Sequence, residues 1–257
     1  MTDESLKEKI VNSISRLSAK GERVVIVHGG GPFIKEALAE AQIDSEFIDG
    51  QRKTSHEAMH LVEITLKGRV NTNLVTLFNR AGAKAVGLSG KDGQVVTAKK
   101  RIHIESNTGR EVDLGQVGDV EKVNPLLINN LLDNGFLPVL TCVAADNRGI
   151  DYNINGDLFA GYVAGALRAD HFVVLTDVDG IMMDKDDPET LIKKIESGEL
   201  VKLKATGVIQ GGMIPKIDAC IVALKEGAVE AHILNGTKPD DLERIIEKDK
   251  AGTAILK

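Results

Sequence analysis

The 257-residue chain has two cysteines, no apolar run of membrane-spanning length and no excess of basic residues. Each shortage excludes something. Cys142 and Cys220 stand far apart in apolar surroundings, which reads as two buried thiols in a reducing cytoplasm rather than a disulfide. A bilayer helix needs ~20 consecutive apolar residues, and no stretch approaches that. The start, Met1-Thr2-Asp3-Glu4-Ser5, is acidic and polar, unlike a secretory signal. A formal net charge of −6 argues against general binding to nucleic acid or acidic membranes, so an anionic ligand must be held by local donors and a few placed Lys or Arg residues. The six histidines form no evident metal set. His56 and His60 have i, i+4 spacing but no third ligand, and they read as a helix surface. No internal repeat or low-complexity linker interrupts the chain.

What is present is ordinary globular material, 42% hydrophobic and 27% charged, enough for one large domain or two modest lobes. Residues 4–19 carry Leu6, Ile10, Val11, Ile14 and Leu17 at helical spacing. A strand is expected over Val24–Val27, then helices to about Gln42 and over 55–81, and a strand over 82–88. Residues 93–120 mix isolated Val and Ile with polar residues and glycines, the pattern of hairpins. Helix 124–134, strand 137–140, helix 156–167 and strand 171–175 follow, with helices near 188–198, 215–226 and 239–248 and strands near 231–234 and 253–256. Such alternation predicts an α/β protein, a three-layer α/β/α sandwich with a largely parallel central sheet. A lobe boundary is expected near 168–171.

Five segments carry chemistry. The strand at Val24–Val27 runs into His28-Gly29-Gly30-Gly31-Pro32 and a helical pattern. Glycines there let the backbone approach a ligand, and the amides of loop and helix start make a seat for phosphate or carboxylate; a tight turn alone is the plainer alternative. Arg52, beside a turn glycine, has the fork that clamps a carboxylate, although isolated it equally fits a solvated surface. Asn153-Ile154-Asn155-Gly156-Asp157 precedes an apolar helix. One cap needs one such side chain, so the surplus favours a site. Thr176-Asp177-Val178-Asp179-Gly180 ends a strand in acidic groups that suit a ribose or base edge, or a simple Asp-Gly turn. Finally, Gly211-Gly212 leads into a helix with Pro215 in its first turn and Lys216 beside it. That lysine has the wrong sign for the helix dipole and makes better sense next to a phosphate.

Taken together, His28–Gly31, Arg52, Asn153–Asp157, Asp177–Gly180 and Gly211–Lys216 resemble the amino-acid kinase family, in order and across essentially the whole chain. Within it the chain is most similar to the branch that phosphorylates the side-chain carboxylate of N-acetyl-L-glutamate in arginine biosynthesis. The resemblance implies ATP and Mg2+, a cytoplasmic homodimer and two lobes, residues 1–168 for the acyl amino acid and dimerisation, residues 169–257 for ATP. It assigns Gly30 and Gly31 to the transferred phosphoryl group and the substrate carboxylate, and Arg52 and Asn153 to the acyl amino acid. Asp177, Val178, Asp179, Gly180, Ile181 and Met182, with Val208, Ile209 and Gln210, would line the nucleotide pocket. Lys216 would neutralise phosphoryl charge, and Asp157 would orient lysine. Family members open with a Lys-x-Gly-Gly strand that has no counterpart before His28, which implies reduced turnover for the chain as it stands. Two readings stay beside the leading one: the same chemistry on N-succinylglutamate or an aminoadipate derivative, and a nucleotide- or metabolite-binding homologue with impaired catalysis.

Overall fold

The computed structural model describes residues 3–184, 187–246 and 251–257. Met1 and Thr2 of the acidic start, and residues 247–248 of the expected last helix, lie outside the described residues. The chain folds as two compact units. One comprises Val25–Asn79 and Lys84–Phe159, the other Met1–Val24, Arg80–Ala83 and Ala160–Lys257. The first helix, α1 (Glu4–Ala19), is capped by Asp3, whose carboxylate accepts from the Leu6 amide at 2.9 Å, and it buries Ile10, Val11, Ile14 and Leu17.

The Val25–Phe159 unit contains β1 (Ile26–His28), α2 (Gly31–Glu40), the hairpin β2 (Phe47–Ile48) with β3 (Gln51–Arg52), α3 (His56–Glu63) and α4 (Thr72–Arg80). Between α3 and α4, Ile64–Asn71 widens into π-helical turns, so the single helix expected over 55–81 is continuous but irregular in its middle. Then come β4 (Ala85–Ser89), β5 (Val96–Lys100), β6 (His103–Ile104), β7 (Glu111–Val112), β8 (Val117–Val123), α5 (Leu126–Asp133), β9 (Leu137–Thr141), β10 (Val143–Ala145) and β11 (Asp151–Ile154). β9 is buried along its whole length between two parallel neighbours, β1 and β4. A strand covered on both faces reads as a continuous apolar run, and Leu137-Pro138-Val139-Leu140 is one. The hairpins expected in 93–120 are present: β5 pairs antiparallel with β8 and β6 with β7, while β5, β8, β10 and β11 close into a small barrel.

The other unit holds most of α6 (Gly156–Ala166), then β12 (His171–Thr176), β13 (Lys194–Glu196), α7 (Ser197–Ala205), α8 (Met213–Glu226), β14 (Glu230–Asn235), α9 (Asp241–Ile246) and β15 (Thr253–Leu256). Its sheet order is β12-β14-β15-β13, parallel except where β14 meets β15. α1 joins this unit through α9: the Ser13 hydroxyl donates to the Pro239 carbonyl at 3.0 Å, and Arg16 and Lys20 pair with Glu243 at 2.7 and 3.0 Å.

The helix expected near 188–198 is a correction. A 3-10 turn at Pro188–Thr190 is followed by β13, and α7 begins only at Ser197. Ile195 is buried between exposed Lys194 and Glu196, a period of two that pairs with Ala254–Leu256. Sheet pairing overrides the local helical pattern.

Gly252 closes this sheet. Its φ is +60°, and an added Cβ would stand 2.1 Å from the Ile233 carbonyl oxygen on β14. Backbone cannot step aside as a side-chain tip does. Gly252→Ala is therefore expected to cost on the order of 2 kcal/mol, from left-handed strain plus overpacking. A lower urea midpoint at unchanged slope checks this; an unchanged midpoint contradicts it.

Candidate active site

In the Val25–Phe159 unit the glycine loop is held from several sides. An added Cβ at Gly30 would sit 2.5 Å from Leu66 Cδ2, so the loop lies flush against the widened Ile64–Asn71 turns. α2 starts at Gly31 with Pro32 in its first turn, where the missing proline amide costs nothing. α6 starts beside the same loop, with Gly156 placed so that its Cβ would be 3.5 Å from Gly29 Cα. Two helix N-termini thus lie at one glycine loop, each with partial positive charge and outward amides.

Arg52 stands over that loop. Its guanidinium donates to the Gly31 carbonyl at 3.2 Å and to the Ser45 hydroxyl, and it lies 4.6 Å from the centre of the Phe47 ring. A guanidinium stacked and half-desolvated in this way is pre-oriented for a carboxylate. Thr54 continues the cluster: its hydroxyl donates to the Arg52 carbonyl at 3.1 Å and accepts from Asn153 Nδ2 at 3.4 Å. Gly31, Arg52, Thr54 and Asn153 are therefore linked at one place, although Arg52 and Asn153 are about a hundred residues apart in sequence. Asn155 is the one that caps α6, accepting from the Leu158 amide at 3.0 Å. Cys142 lies beneath Gly156, and burial pushes its thiol up to about 12, so it is inert.

Two residues beside the loop carried no legible signal in the sequence. Buried Asn71 donates from Nδ2 to the Val139 carbonyl at 2.9 Å and to His28 Nε2 at 3.0 Å. His28 Nε2 is then an acceptor, which places the ring proton on Nδ1, donating to the Gly29 carbonyl at 2.9 Å. Burial lowers the His28 pKa, the Gly29 contact opposes this, and the charge of Lys67 lowers it further, so the ring is neutral at pH 7. Lys67 itself donates to the Gly87 carbonyl at 2.8 Å and pairs with Asp92 at 3.2 Å. Both Lys67 and Asn71 come from the π-helical stretch, a kind of irregularity that is frequent at functional sites.

In the other unit the polar groups gather at the carboxyl ends of β12 and β14, where α/β sheets bind ligands. Asp177 accepts from the Thr176 hydroxyl at 3.1 Å. Asp179 accepts from Lys238 Nζ and Asn235 Nδ2, at 2.6 and 2.7 Å, and the lysine holds its carboxyl below the usual range. Asn235 and Lys238 were also missed, yet Asn235-Gly236-Thr237-Lys238 repeats the signal used for Asp177–Gly180, an apolar strand ending in polar residues. Val178 is exposed while Ile181 is buried, its amide donating to the Thr253 hydroxyl at 2.8 Å, and Met182 bridges to Leu191. Ile209 is buried and Val208 half-buried, and exposed Gln210 donates to the Gly207 carbonyl at 2.6 Å. Lys216 lies in the first turn of α8, which follows Gly211 at φ +55°.

A sequence model of the Amino acid kinase family matches residues 1–235. Acetylglutamate kinase of Archaeoglobus fulgidus is 45% identical over 259 residues, covering 99% of this chain and 89% of that one. Acetylglutamate kinase of Heliobacterium modesticaldum is 42% identical, covering 100% and 88%. Among solved structures, smu.665 of Streptococcus mutans superposes with a TM-score of 0.77 at 30% identity, covering 96% of this chain and 91% of that one.

Proposed function

The chain belongs to the amino-acid kinase family, and we propose that it transfers the γ-phosphoryl group of ATP to the side-chain carboxylate of N-acetyl-L-glutamate, a step of arginine biosynthesis. The observation that carries this reading is the cluster of α2 N-terminus, Arg52, Thr54 and Asn153, a compact set of carboxylate and amide partners beside a glycine loop. The whole-length identity to acetylglutamate kinases supports the same substrate.

The chemistry asks little of the protein beyond placement. A side-chain carboxylate oxygen attacks the γ-phosphorus, an O–P bond forms, and the bond to the bridging oxygen breaks with its electron pair leaving on ADP. The nucleophile is already an anion, so no general base is needed, and catalysis rests on alignment and charge neutralisation. Arg52 and Asn153 hold the acyl amino acid. The Gly30 and Gly31 backbone accommodates the substrate carboxylate and the transferred group. Residues 177–182 with 208–210 receive the nucleotide, so that the Val25–Phe159 unit serves the acyl amino acid and the β12–β15 sheet serves ATP. Lys216 neutralises charge on the phosphoryl oxygens, and Asp157 orients lysine. Asp177, a hard oxygen donor at the carboxyl end of β12, is of the type Mg2+ takes beside phosphates, and the bound ion would supply further neutralisation of phosphate charge. A cytoplasmic homodimer fits a biosynthetic enzyme; among the described residues no helix is long and apolar enough to cross a membrane.

The test is ADP release with N-acetylglutamate, N-succinylglutamate and 2-aminoadipate derivatives offered separately. The highest kcat/KM is expected for N-acetylglutamate. Preference for another acceptor replaces the substrate assignment, and nucleotide binding without transfer to any acceptor supports the binding-homologue reading instead.

A further inference from the structure

The sequence shows no metal set, but the fold brings two imidazoles and a carboxylate together. β12 and β14 run parallel with His171 opposite Glu230 and Val173 opposite His232. Residues two apart on a strand share a face. His171, Glu230 and His232 therefore converge on one side of the sheet at the amino ends of the two strands. His171 Nδ1 lies 3.1 Å from His232 Nε2, and Glu230 Oε2 lies 3.9 and 3.6 Å from those same two nitrogens. The three rest half-buried, half-buried and buried, with all ligand atoms within 4.8 Å of one another.

A ring-to-ring hydrogen bond accounts for only part of this arrangement. The carboxylate oxygen is too far from either nitrogen to be hydrogen-bonded to it. Two imidazoles and a carboxylate at 2.0–2.2 Å from a tetrahedral ion stand about 3.3 Å apart, and the three separations bracket that value. The donor types, two borderline nitrogens and one oxygen, match a first-row divalent ion such as Zn2+ and leave one coordination position for water.

We propose that His171, Glu230 and His232 form a binding site for a divalent transition ion, with Zn2+ its natural probe, that ties the amino ends of β12 and β14 together. The site is separate from the nucleotide-binding residues. His171 begins β12 and Asp177 follows its other end, about 20 Å away at strand rise. It does not rest on the kinase reading. His232 Nδ1 is buried without a partner, so the site lacks the outer hydrogen bond that strengthens most metal histidines, and micromolar affinity is expected.

The test is calorimetry of the full chain, stripped with EDTA and desalted, titrated with Zn2+ in the absence of nucleotide, together with thermal melting. One Zn2+ per chain and a saturable rise in Tm are expected. His171→Ala and the near-isosteric Glu230→Gln should each weaken binding at least ~10-fold, the loss already typical of outer-shell changes. His60→Ala, which breaks the exposed i, i+4 pair with His56, should leave the isotherm unchanged. Co2+ in place of Zn2+ should give the intense visible absorption of a four-coordinate site, lost in both ligand variants. Absence of binding, binding undiminished by Glu230→Gln, or loss of binding in His60→Ala overturns the proposal.

Discussion

Replacing Lys216 by Ala is expected to lower kcat by about 10²–10³-fold while leaving KM for N-acetylglutamate nearly unchanged. The lysine sits in the first turn of α8, where its charge opposes the helix dipole. An unfavourable placement of this kind is rational if the partner is an anion held at the same helix start. Charge on the phosphoryl oxygens is redistributed during transfer, so a cation aimed there acts mainly on the transition state, and its loss appears in kcat. Arg52 makes the contrast. In the proposed role it would grip a part of the substrate whose charge does not change, so Arg52→Ala should chiefly raise KM. Arg52→Lys should recover little, because a point charge cannot keep the guanidinium contacts to Ser45 and Gly31 while receiving a carboxylate. Steady-state kinetics on the three variants decides it. A Lys216→Ala enzyme altered only in KM removes this lysine from the transfer step, and an Arg52→Ala enzyme altered only in kcat reverses the two roles.

The elements that the sequence displayed clearly were those whose apolar spacing answers to one environment. α1 runs over 4–19 as its five apolar residues require, and β9 and β12 fall on continuous apolar runs. The misread stretch, 188–198, failed for a nameable reason: β13 is three residues long, and its identity depends on β15, some sixty residues further on. Within the site, Asn155 is the residue of the Asn153–Asp157 run that accepts from the Leu158 amide at the start of α6. The contacts of Asn71 and Lys67 were invisible because they come from π-helical turns that a helical repeat does not distinguish from α-helix. Asn235 and Lys238 stand where β14 ends in polar residues, the same legible pattern as at the end of β12. The His171, Glu230 and His232 cluster could not be read at all. Its spacing exists only through the strand register, and no local pattern encodes which residue of β14 faces which residue of β12.

Lowering the pH from 6.5 to 4 is expected to cost the metal-free protein about 3 kcal/mol of stability through the His232 ring. Burial, and then the charge of neighbouring His171, bring the His232 pKa from 6.5 down to about 4. In the unfolded chain the same ring protonates near 6.5. Between the two values the unfolded state holds one proton more than the native state, so stability rises with pH and falls on acidification. Each pH unit carries about 1.4 kcal/mol, and the window is roughly 2.5 units wide. Below pH 4 the ring is protonated in both states and this contribution levels off. His28 is lowered by burial as well and acts in the same direction. The carboxylates Asp179 and Asp92 are depressed below 3.8, so their contribution persists above that value and is lost only under more acidic conditions. Glu230, 3.6 Å from His232 Nε2, and His171, at 3.1 Å, are ionisable groups that face the ring on this sheet surface. Urea unfolding at intervals between pH 7 and 4, with EDTA present so that bound metal does not contribute, should show a falling midpoint over this window. His232→Leu should flatten the larger part of that slope, leaving the share of His28. A midpoint independent of pH down to 4 would show that the ring is hydrated or charged in the native protein, contrary to its burial on β14, the strand between β12 and β15.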